Sequence, residues 1–587
     1  MNNGSVLKSR RTSRVMNIVR ILLVTSRAEP LLFWGLVTSR LFSAAIPVVN
    51  IIFTSLIANA IVLSLSVHHP QGITEILTLF LAFKLVSVVL SASESISGSL
   101  FLQKAANFVH VRVMRGVAKI PLERLESADM QNELFFLRTE SAQSAAQITA
   151  NLSKLLSEAL SIAAIVYIAL LWGGVAESLV FLAVLPLAYS DVKTKRWGFA
   201  LATRLARFQR ENYYYSFLMT GISTIRELAA LRAVETVVAR YYRNFSKIYA
   251  QTRRYRLSSS ALQSGAFLLG TIMILGIQFL IIQSGVVHGE SVGQILALFQ
   301  SVAVLLLSLE TLLRTSGEVY HDGLFVNRFA ETPEVWDEVV RNTADSADDA
   351  SVETGCTVKT DGSCVLDLSG VGYRRGQTVV FGGVNLGVRG GERIGIVGPN
   401  GSGKTTLCEL IAGIRTPSEG YIHVNGVPVC SLSGDERSRI FSVQFQDFAK
   451  FELRYVDNID MTKDVTPDAI EGIAQHITGL DPNSPIRYEE ELLTSNIGTW
   501  FENSRQLSGG EWQRLALYRT LYRQAPFYIL DEPTSQLDRS ATLDVANMLA
   551  KISQEAALIV VSHDHDFLRQ LSCRMYELKP HGLVSLS

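Results

Sequence analysis

One run of sequence limits the fold before anything else does. Residues 41–65 form a stretch of about 25 residues with almost no charge. A helix of that length spans the hydrocarbon core of a bilayer. The apolar stretch begins near Leu31, with Arg40 interrupting it. Similar runs cover residues 73–102, about 155–172, about 175–189, 259–282 and about 292–313. The pattern predicts about six spans.

Lys and Arg fall on one side of these spans. They crowd the N-terminus (Lys8, Arg10, Arg11, Arg14, Arg20), the loop with Arg112, Arg115 and Lys119, and the stretch from Lys193 through Arg210. The turns near His68, Gly173 and Gly285 are nearly free of them. The positive-inside rule therefore places the basic side in the cytoplasm and predicts a multi-pass protein of the cytoplasmic (inner) membrane. The basic N-terminus lacks a signal-peptide cleavage pattern and reads as a cytoplasmic lead-in. The two long basic connections keep a helical pattern, so the helices are expected to extend past the bilayer.

Lys84 sits about mid-span in the second run. It has two readings: a cavity contact with an acidic cargo, or a structural pair with a carboxylate such as Glu94. Gln294, Ser301 and Ser308 recur every seven residues on the sixth run. That face either lines an aqueous path or forms a helix–helix seam.

Mean hydropathy is +0.23 although 18% of the 587 residues are charged, and the average hides a division. Residues 1–330 read as the membrane domain with its intracellular extensions. Residues 331–356 are acidic, lack an apolar period and read as a linker. Residues 357–587 read as a soluble α/β domain. A net charge of +0 offers no attraction to a nucleic-acid polyanion. All five cysteines lie in the second half without C-x-x-C spacing, which suggests neither a zinc site nor a disulfide framework.

In the soluble half, Gly398-Pro399-Asn400-Gly401-Ser402-Gly403-Lys404-Thr405 fits G-x-x-x-x-G-K-[ST]. The apolar Arg393-Ile394-Gly395-Ile396-Val397 before it reads as a strand, and Thr406 opens a helical pattern after it. Glycines turn N–H groups inward around phosphate oxygens, and the helix N-terminus adds its positive end. Lys404 would reach the β- and γ-phosphates, and the Thr405 hydroxyl would ligate Mg²⁺. Phe527-Tyr528-Ile529-Leu530 reads as a strand that ends in Asp531 and Glu532. Asp531 would hold Mg²⁺ and Glu532 would act as general base. Tyr373 reads as an adenine-stacking ring or as a turn tyrosine. Ser508, Gly509 and Gly510 offer hydroxyl and N–H donors at a helix start.

The stretch Leu507-Ser508-Gly509-Gly510-Glu511-Trp512-Gln513-Arg514 resembles the signature motif of ATP-binding cassette (ABC) proteins. With about six spans ahead of it, nearly the whole chain resembles an ABC exporter half-transporter. The resemblance implies an α-helical membrane domain (type I ABC exporter) followed by an α/β P-loop NTPase cassette, with ATP and Mg²⁺ as cofactors. By position it implies that Tyr373 stacks on adenine and that Gly398 through Thr406 hold phosphate. Gln446 would contact Mg²⁺ or water, Glu532 would be the catalytic carboxylate, and His563 would contact the γ-phosphate. In Ser535-Gln536-Leu537-Asp538, the counterpart of the D-loop, Gln536 stands where alanine is commoner. His563-Asp564-His565 is alternatively a metal pair, with no third ligand evident nearby. Residues 122–129 and 211–219 match the two coupling helices.

Signature motifs of this family act on the ATP of a second cassette, so a second half is required. Intact motifs point to a homodimer. The expected activity is ATP hydrolysis coupled to export of a modified peptide or a hydrophobic small molecule, with a lipid flippase, an exporter-like importer or a non-transporting ATPase switch as alternatives. The run Ile497 through Glu502, with Phe445-Gln446-Asp447-Phe448, resembles bacterial exporters of modified peptides, though residues 503–506 depart from their pattern.

Overall fold

The computed structural model describes residues 3–67, 72–137, 142–172, 179–340, 364–461, 466–484, 491–554 and 556–586. The chain divides into two compact units. The first holds residues 1–120 and 127–347, and the second holds residues 121–126 and 348–587.

The first unit is helical throughout: α1 (Asn3–Ala28), α2 (Pro30–Ser43), α3 (Ile46–Val67), α4 (Ile73–Val117), then, past a short α5 (Leu122–Leu125) that belongs to the second unit, α6 (Ala128–Phe136). It continues with α7 (Ala142–Leu171), α8 (Val180–Thr220), α9 (Ile222–Ala230), α10 (Val234–His288), α11 (Val292–Phe329) and α12 (Pro333–Val340). Five helical stretches are long and apolar enough to cross a membrane: Pro30–Leu65, Ile73–Val117, Ala142–Leu171, Val234–His288 and Val292–Phe329. Six were expected. The missing one falls partly on residues 173–178, outside the described residues. The described part of α8 soon meets Asp191, Lys193, Lys195 and Arg196, which dilute its apolar character. The first stretch is not one helix either. A turn at Ala44 and Ala45 separates α2 from α3, and Pro47 sits in the first turn of α3, where its missing N–H costs nothing.

Packing within this unit answers the two open questions about polar residues in spans. Ser301 and Ser308 are 3% and 7% exposed, in the same apolar cluster region as Ala297, Leu298, Val302 and Leu305. Ser301 donates to its own helix at Leu298 O (2.7 Å). Gln294 instead caps α11 through Ser291. This face is a seam between helices, as small residues favour. Gly293 shows the same logic: a Cβ there would collide with Ser55 and Asn59 of α3, and its N–H donates to Asn59 Oδ1 (2.9 Å).

Lys84 does not pair with Glu94. It is exposed, with Nζ 5.2 Å from the centre of the Phe80 ring. Glu94 pairs instead with Arg40 (Nε–Oε1 3.1 Å), whose guanidinium also donates to Ala150 O and to Ser153 Oγ on α7. The interrupting Arg40 of the first apolar run thus joins α2, α4 and α7.

Two further readings shift. The acidic stretch after residue 330 begins with helix α12, which buries Val335, Trp336 and Val339. That short stripe is hidden among acidic neighbours; residues 341–363 lie outside the described residues. Residues 211–219 are the end of the long α8, and the separate short helix is α9, set off where Gly221 turns extended (φ −77°, ψ 127°).

The second unit carries two sheets. Strands β1 (Val365–Arg375), β2 (Thr378–Arg389), β4 (Glu419–Val424) and β5 (Val427–Pro428) form an antiparallel sheet ordered β2-β1-β4-β5. The other is ordered β10-β9-β3-β8-β7-β6, from β3 (Arg393–Val397), β6 (Phe441–Gln444), β7 (Phe527–Asp531), β8 (Ala557–Val561), β9 (Arg574–Lys579) and β10 (Gly582–Leu586). Strands β9, β3, β8, β7 and β6 run parallel. The buried, largely apolar β3, β7 and β8 fit a sheet covered on both faces. The helices of this unit include α13 (Lys404–Ile411), α14 (Gly434–Ile440), α15 (Tyr455–Ile459), α16 (Pro467–Leu480), α17 (Glu491–Thr494), α18 (Gly509–Tyr522), α19 (Arg539–Ile552) and α20 (His565–Gln570); α13, α14 and α18 pack on the parallel sheet, and α15 and α16 pack on α18.

The Arg40–Glu94 pair gives a stability test. The Arg40 side chain is only 12% exposed, so removing its counter-charge leaves a cation stranded. Glu94→Ala should cost roughly 2 kcal/mol, read as a lower Tm in detergent. The double variant Arg40→Met, Glu94→Met should recover most of that loss.

Candidate nucleotide site

The parallel sheet places its functional groups at the carboxyl ends of β3, β6, β7 and β8. The phosphate-binding loop leaves β3 and enters α13. Gly401 (φ 80°) and Gly403 (φ 95°) take the left-handed conformation that residues with a Cβ avoid. At Gly403 a Cβ would also stand 2.7 Å from Val380 Cγ1 and 2.8 Å from Phe381 Cδ1. The loop therefore lies flat against β2 only because that residue is glycine.

Its polar groups suit an anion. The Ser402 hydroxyl oxygen is buried without a hydrogen-bond partner among the described residues. Lys404 folds back and donates to Gly398 O (2.8 Å) and Pro399 O (3.0 Å), which keeps its charge over the loop. Thr405 and Thr406 open the first turn of α13.

Thr405 Oγ1 donates to Asp531 Oδ2 across 2.6 Å. Two hard oxygen donors meet there, which suits Mg²⁺. Burial raises the Asp531 carboxyl above its ordinary range, against the Thr405 hydrogen bond; Glu532 adds to the rise. A bound cation would reverse that shift.

Glu532 follows in a left-handed conformation (φ 50°) unusual for a residue with a side chain. Its N–H donates to Val561 O (2.8 Å), and its carbonyl accepts from Gln513 Nε2 (3.2 Å). The carboxylate accepts from His563 N (3.1 Å), lies 2.9 Å from His563 Nδ1 and accepts from Ser562 Oγ (3.4 Å). The Glu532 side chain is 8% exposed and that of His563 is 75% exposed. Glu532 and His563, separate motifs in the sequence, are thus one hydrogen-bonded pair. Strain of this kind persists where surroundings over-determine it, and it gathers at functional sites.

Sequence reading missed Gln513 and Ser562 as supports. Gln513 carried a signal: it is a fully buried amide on α18, among Trp512, Leu515, Ala516 and Leu517. Asp564 serves as N-cap of α20, accepting from Asp566 N (2.9 Å) and Phe567 N (3.0 Å). That is a structural use of the residue between the two histidines. Gln446 stands exposed in the turn after β6.

Ser508 caps α18 in a capping box with Glu511. Gly509 and Gly510 follow, and Gln536 covers the first of them: its Oε1 stands 2.8 Å from where a Gly509 Cβ would be. The long residue in the alanine position thus packs on the chain's own signature glycine.

Tyr373 is placed differently from an exposed stacking ring. It points inward from β1, 7% exposed, within the core cluster. Register shifts against β2 break the strand alternation here: Val371, Gly372 and Tyr373 are all buried, while Arg374 and Arg375 are exposed. Its hydroxyl accepts from Arg415 Nη1 (3.3 Å).

Arg415 is itself a hub that sequence did not flag. Its guanidinium meets Glu409 of α13 (Nε–Oε2 2.5 Å) and Glu126, which follows α5 (Nη2–Oε1 2.5 Å). Burial opposes its charge, but the bonds to Glu126 and Glu409 outweigh burial and raise its pKa. In return, the Arg415 hydrogen bond holds the Glu126 carboxyl below its usual range. A depressed carboxyl stabilises above its ordinary pKa and loses that contribution as pH falls through the lowered value. The clasp should therefore be complete at neutral pH. Glu126→Gln at pH 7 should raise amide hydrogen exchange over residues 121–126 about two- to fivefold, the scale of a solvent-accessible ion pair. In the unaltered protein the protection of the same amides, corrected for the intrinsic pH dependence of exchange, should fall on acidification.

Residues 381–535 match the family described as ABC transporter. The nisin transport ATP-binding protein NisT of Lactococcus lactis subsp. lactis is 26% identical over 85% of this chain and 82% of its own length. The subtilin transport ATP-binding protein SpaT of Bacillus subtilis is 24% identical over 91% of this chain and 85% of its own. A solved bacterial Atm1-family ABC exporter with ATP bound shares the fold at TM-score 0.74, with 18% identity and 94% of each chain covered. With a helical half rich in apolar spans ahead of an ATP-hydrolysing cassette, the chain is an exporter-type ABC transporter.

Proposed function

We propose that the chain is one half of a homodimer that uses ATP to export a modified peptide across the cytoplasmic membrane, with its cassette in the cytoplasm. The observation that carries the engine is the Glu532–His563 pair beside Thr405–Asp531. The peptide cargo is supported by the names of NisT and SpaT, which align over most of the chain. The cytoplasmic placement is supported by the basic loops between spans.

In this reading the amides at the start of α13 and Lys404 hold the β- and γ-phosphates of ATP. Mg²⁺, which Thr405 and Asp531 would hold and to which the family resemblance adds Gln446, would neutralise charge on those oxygens. Glu532 accepts a proton from water as the water oxygen bonds to the γ-phosphorus. The bond from that phosphorus to the bridging oxygen breaks, and ADP keeps the electron pair. His563 and Ser562 hold the carboxylate in line, and Gln513 holds the backbone beneath it. Ser508, Gly509 and Gly510 of a second copy would close over this nucleotide. ATP binds the closed pair better than the open one, and that difference in affinity drives closure.

Glu532→Gln keeps the shape and removes the base. It should retain ATP binding and lose at least about 100-fold in ATPase rate. Near-normal turnover would remove Glu532 from this role. Native mass measurement of the purified chain in nanodiscs should give two copies; a single copy would contradict the homodimer.

A further inference from the structure

Helices α7, α8, α10 and α11 of the first unit line an open-mouthed cavity of about 380 Å³. That is room for about a dozen waters. Its polar lining includes Asn151, Lys195, Tyr255, Glu318, His321 and Asp322. Two glycines let lining side chains approach the backbone closely. A Cβ on Gly198 would stand 2.8 Å from Tyr255 Oη, and one on Gly317 would collide with the Lys195 side chain. Both long side chains therefore run over bare backbone.

The balance of charge around this cavity is uneven. Lys195 is already satisfied: its Nζ pairs with Asp191 (3.0 Å) and donates to Arg314 O (2.6 Å). The Tyr255 hydroxyl donates to Thr194 O (3.2 Å). The acidic groups are held at arm's length. Asp322, 9% exposed, has Asn151 Nδ2 at 3.5 Å and His321 Nδ1 at 3.6 Å. Glu318 has Arg314 Nε at 3.9 Å. Asp322, drawn out of water, needs a closer counter-charge than that, while the Glu318 side chain stays 43% exposed beside it.

We propose that this cavity binds a cationic group of the cargo, a lysine or arginine side chain or a free amine, against Asp322 and Glu318. The assignment rests on the exporter reading above and names the chemistry of what that exporter carries. The cation supplies the counter-charge that the protein withholds, and Lys195, tied to Asp191, stays out of its way.

The test uses the full chain in phosphatidylcholine nanodiscs and two fluorescein-labelled decapeptides, one alternating leucine and lysine and one alternating leucine and glutamate. Fluorescence anisotropy should show the lysine peptide binding at least about tenfold more tightly, and less so as salt is added. Glu318→Gln should weaken that binding about fivefold and Asp322→Asn about tenfold. If Asp322→Asn does not fold, judged by size-exclusion profile and Tm, Glu318→Lys on its half-exposed side chain decides the matter. Equal affinity for both peptides, or unchanged affinity in the Glu318 variants, overturns the assignment. ATP hydrolysis in the same nanodiscs separates the two readings. A hydrolysing protein that ignores peptide charge sinks the cavity and spares the exporter. Charge-selective binding through Glu318 without hydrolysis keeps the cavity and sinks the exporter.

Discussion

The nucleotide site depends on one backbone contact, the N–H of Glu532 on the carbonyl of Val561. Strand β7 pairs with β8 through Asp531 and Val561, and the chain must then leave the sheet. Glu532 leaves it in the left-handed region, which turns its carboxylate toward the residues that follow β8. His563 and Ser562 are there because the parallel register brings the end of β8 beside the end of β7. Thr405 reaches Asp531 because β3 lies on the other side of β8. Ligand groups gathered outside the carboxyl ends of parallel strands are the common outcome of such sheets. A slip of register in β7 or β8 would separate Asp531 and Glu532 from Thr405, Ser562 and His563 at once.

Much of this was legible in the sequence because the motifs are local. A phosphate loop between a strand and a helix fixes its own geometry, and an apolar strand ending in two carboxylates fixes its own end. What was not legible is longer in range. Gln513 supports Glu532 from 19 positions away, and Arg415 meets Glu126 across 289. Tyr373 shows a subtler limit. A motif position reports that an aromatic is present, while the inward or outward sense of a strand residue depends on the bulges of β1 against β2.

In the helical half, apolar runs are legible in the sequence and the partners of its charges are not. Hydropathy locates a span, but it does not say which polar residue faces which neighbour. Lys84 and Glu94 share one helix, yet Glu94 turns to Arg40 of α2 while Lys84 lies exposed over Phe80. The serine face of α11 is buried in a seam because small residues let helices approach, a preference that composition alone leaves open.

The two units use charge in opposite ways. At Arg415, two carboxylates close on one guanidinium at 2.5 Å each, so the cation is fully engaged and the clasp has no capacity left for a ligand. In the cavity of the helical half the cation is engaged by Asp191, and the carboxylates of Asp322 and Glu318 are left with partners at 3.5 Å or more. Saturated pairing rigidifies, because any motion breaks bonds that water replaces only in part. Unsaturated pairing leaves free energy to be gained from something that arrives. Energy of that kind belongs where a cargo must be admitted and released. Saturated pairing belongs where a short helix must stay attached to a cassette through every turnover.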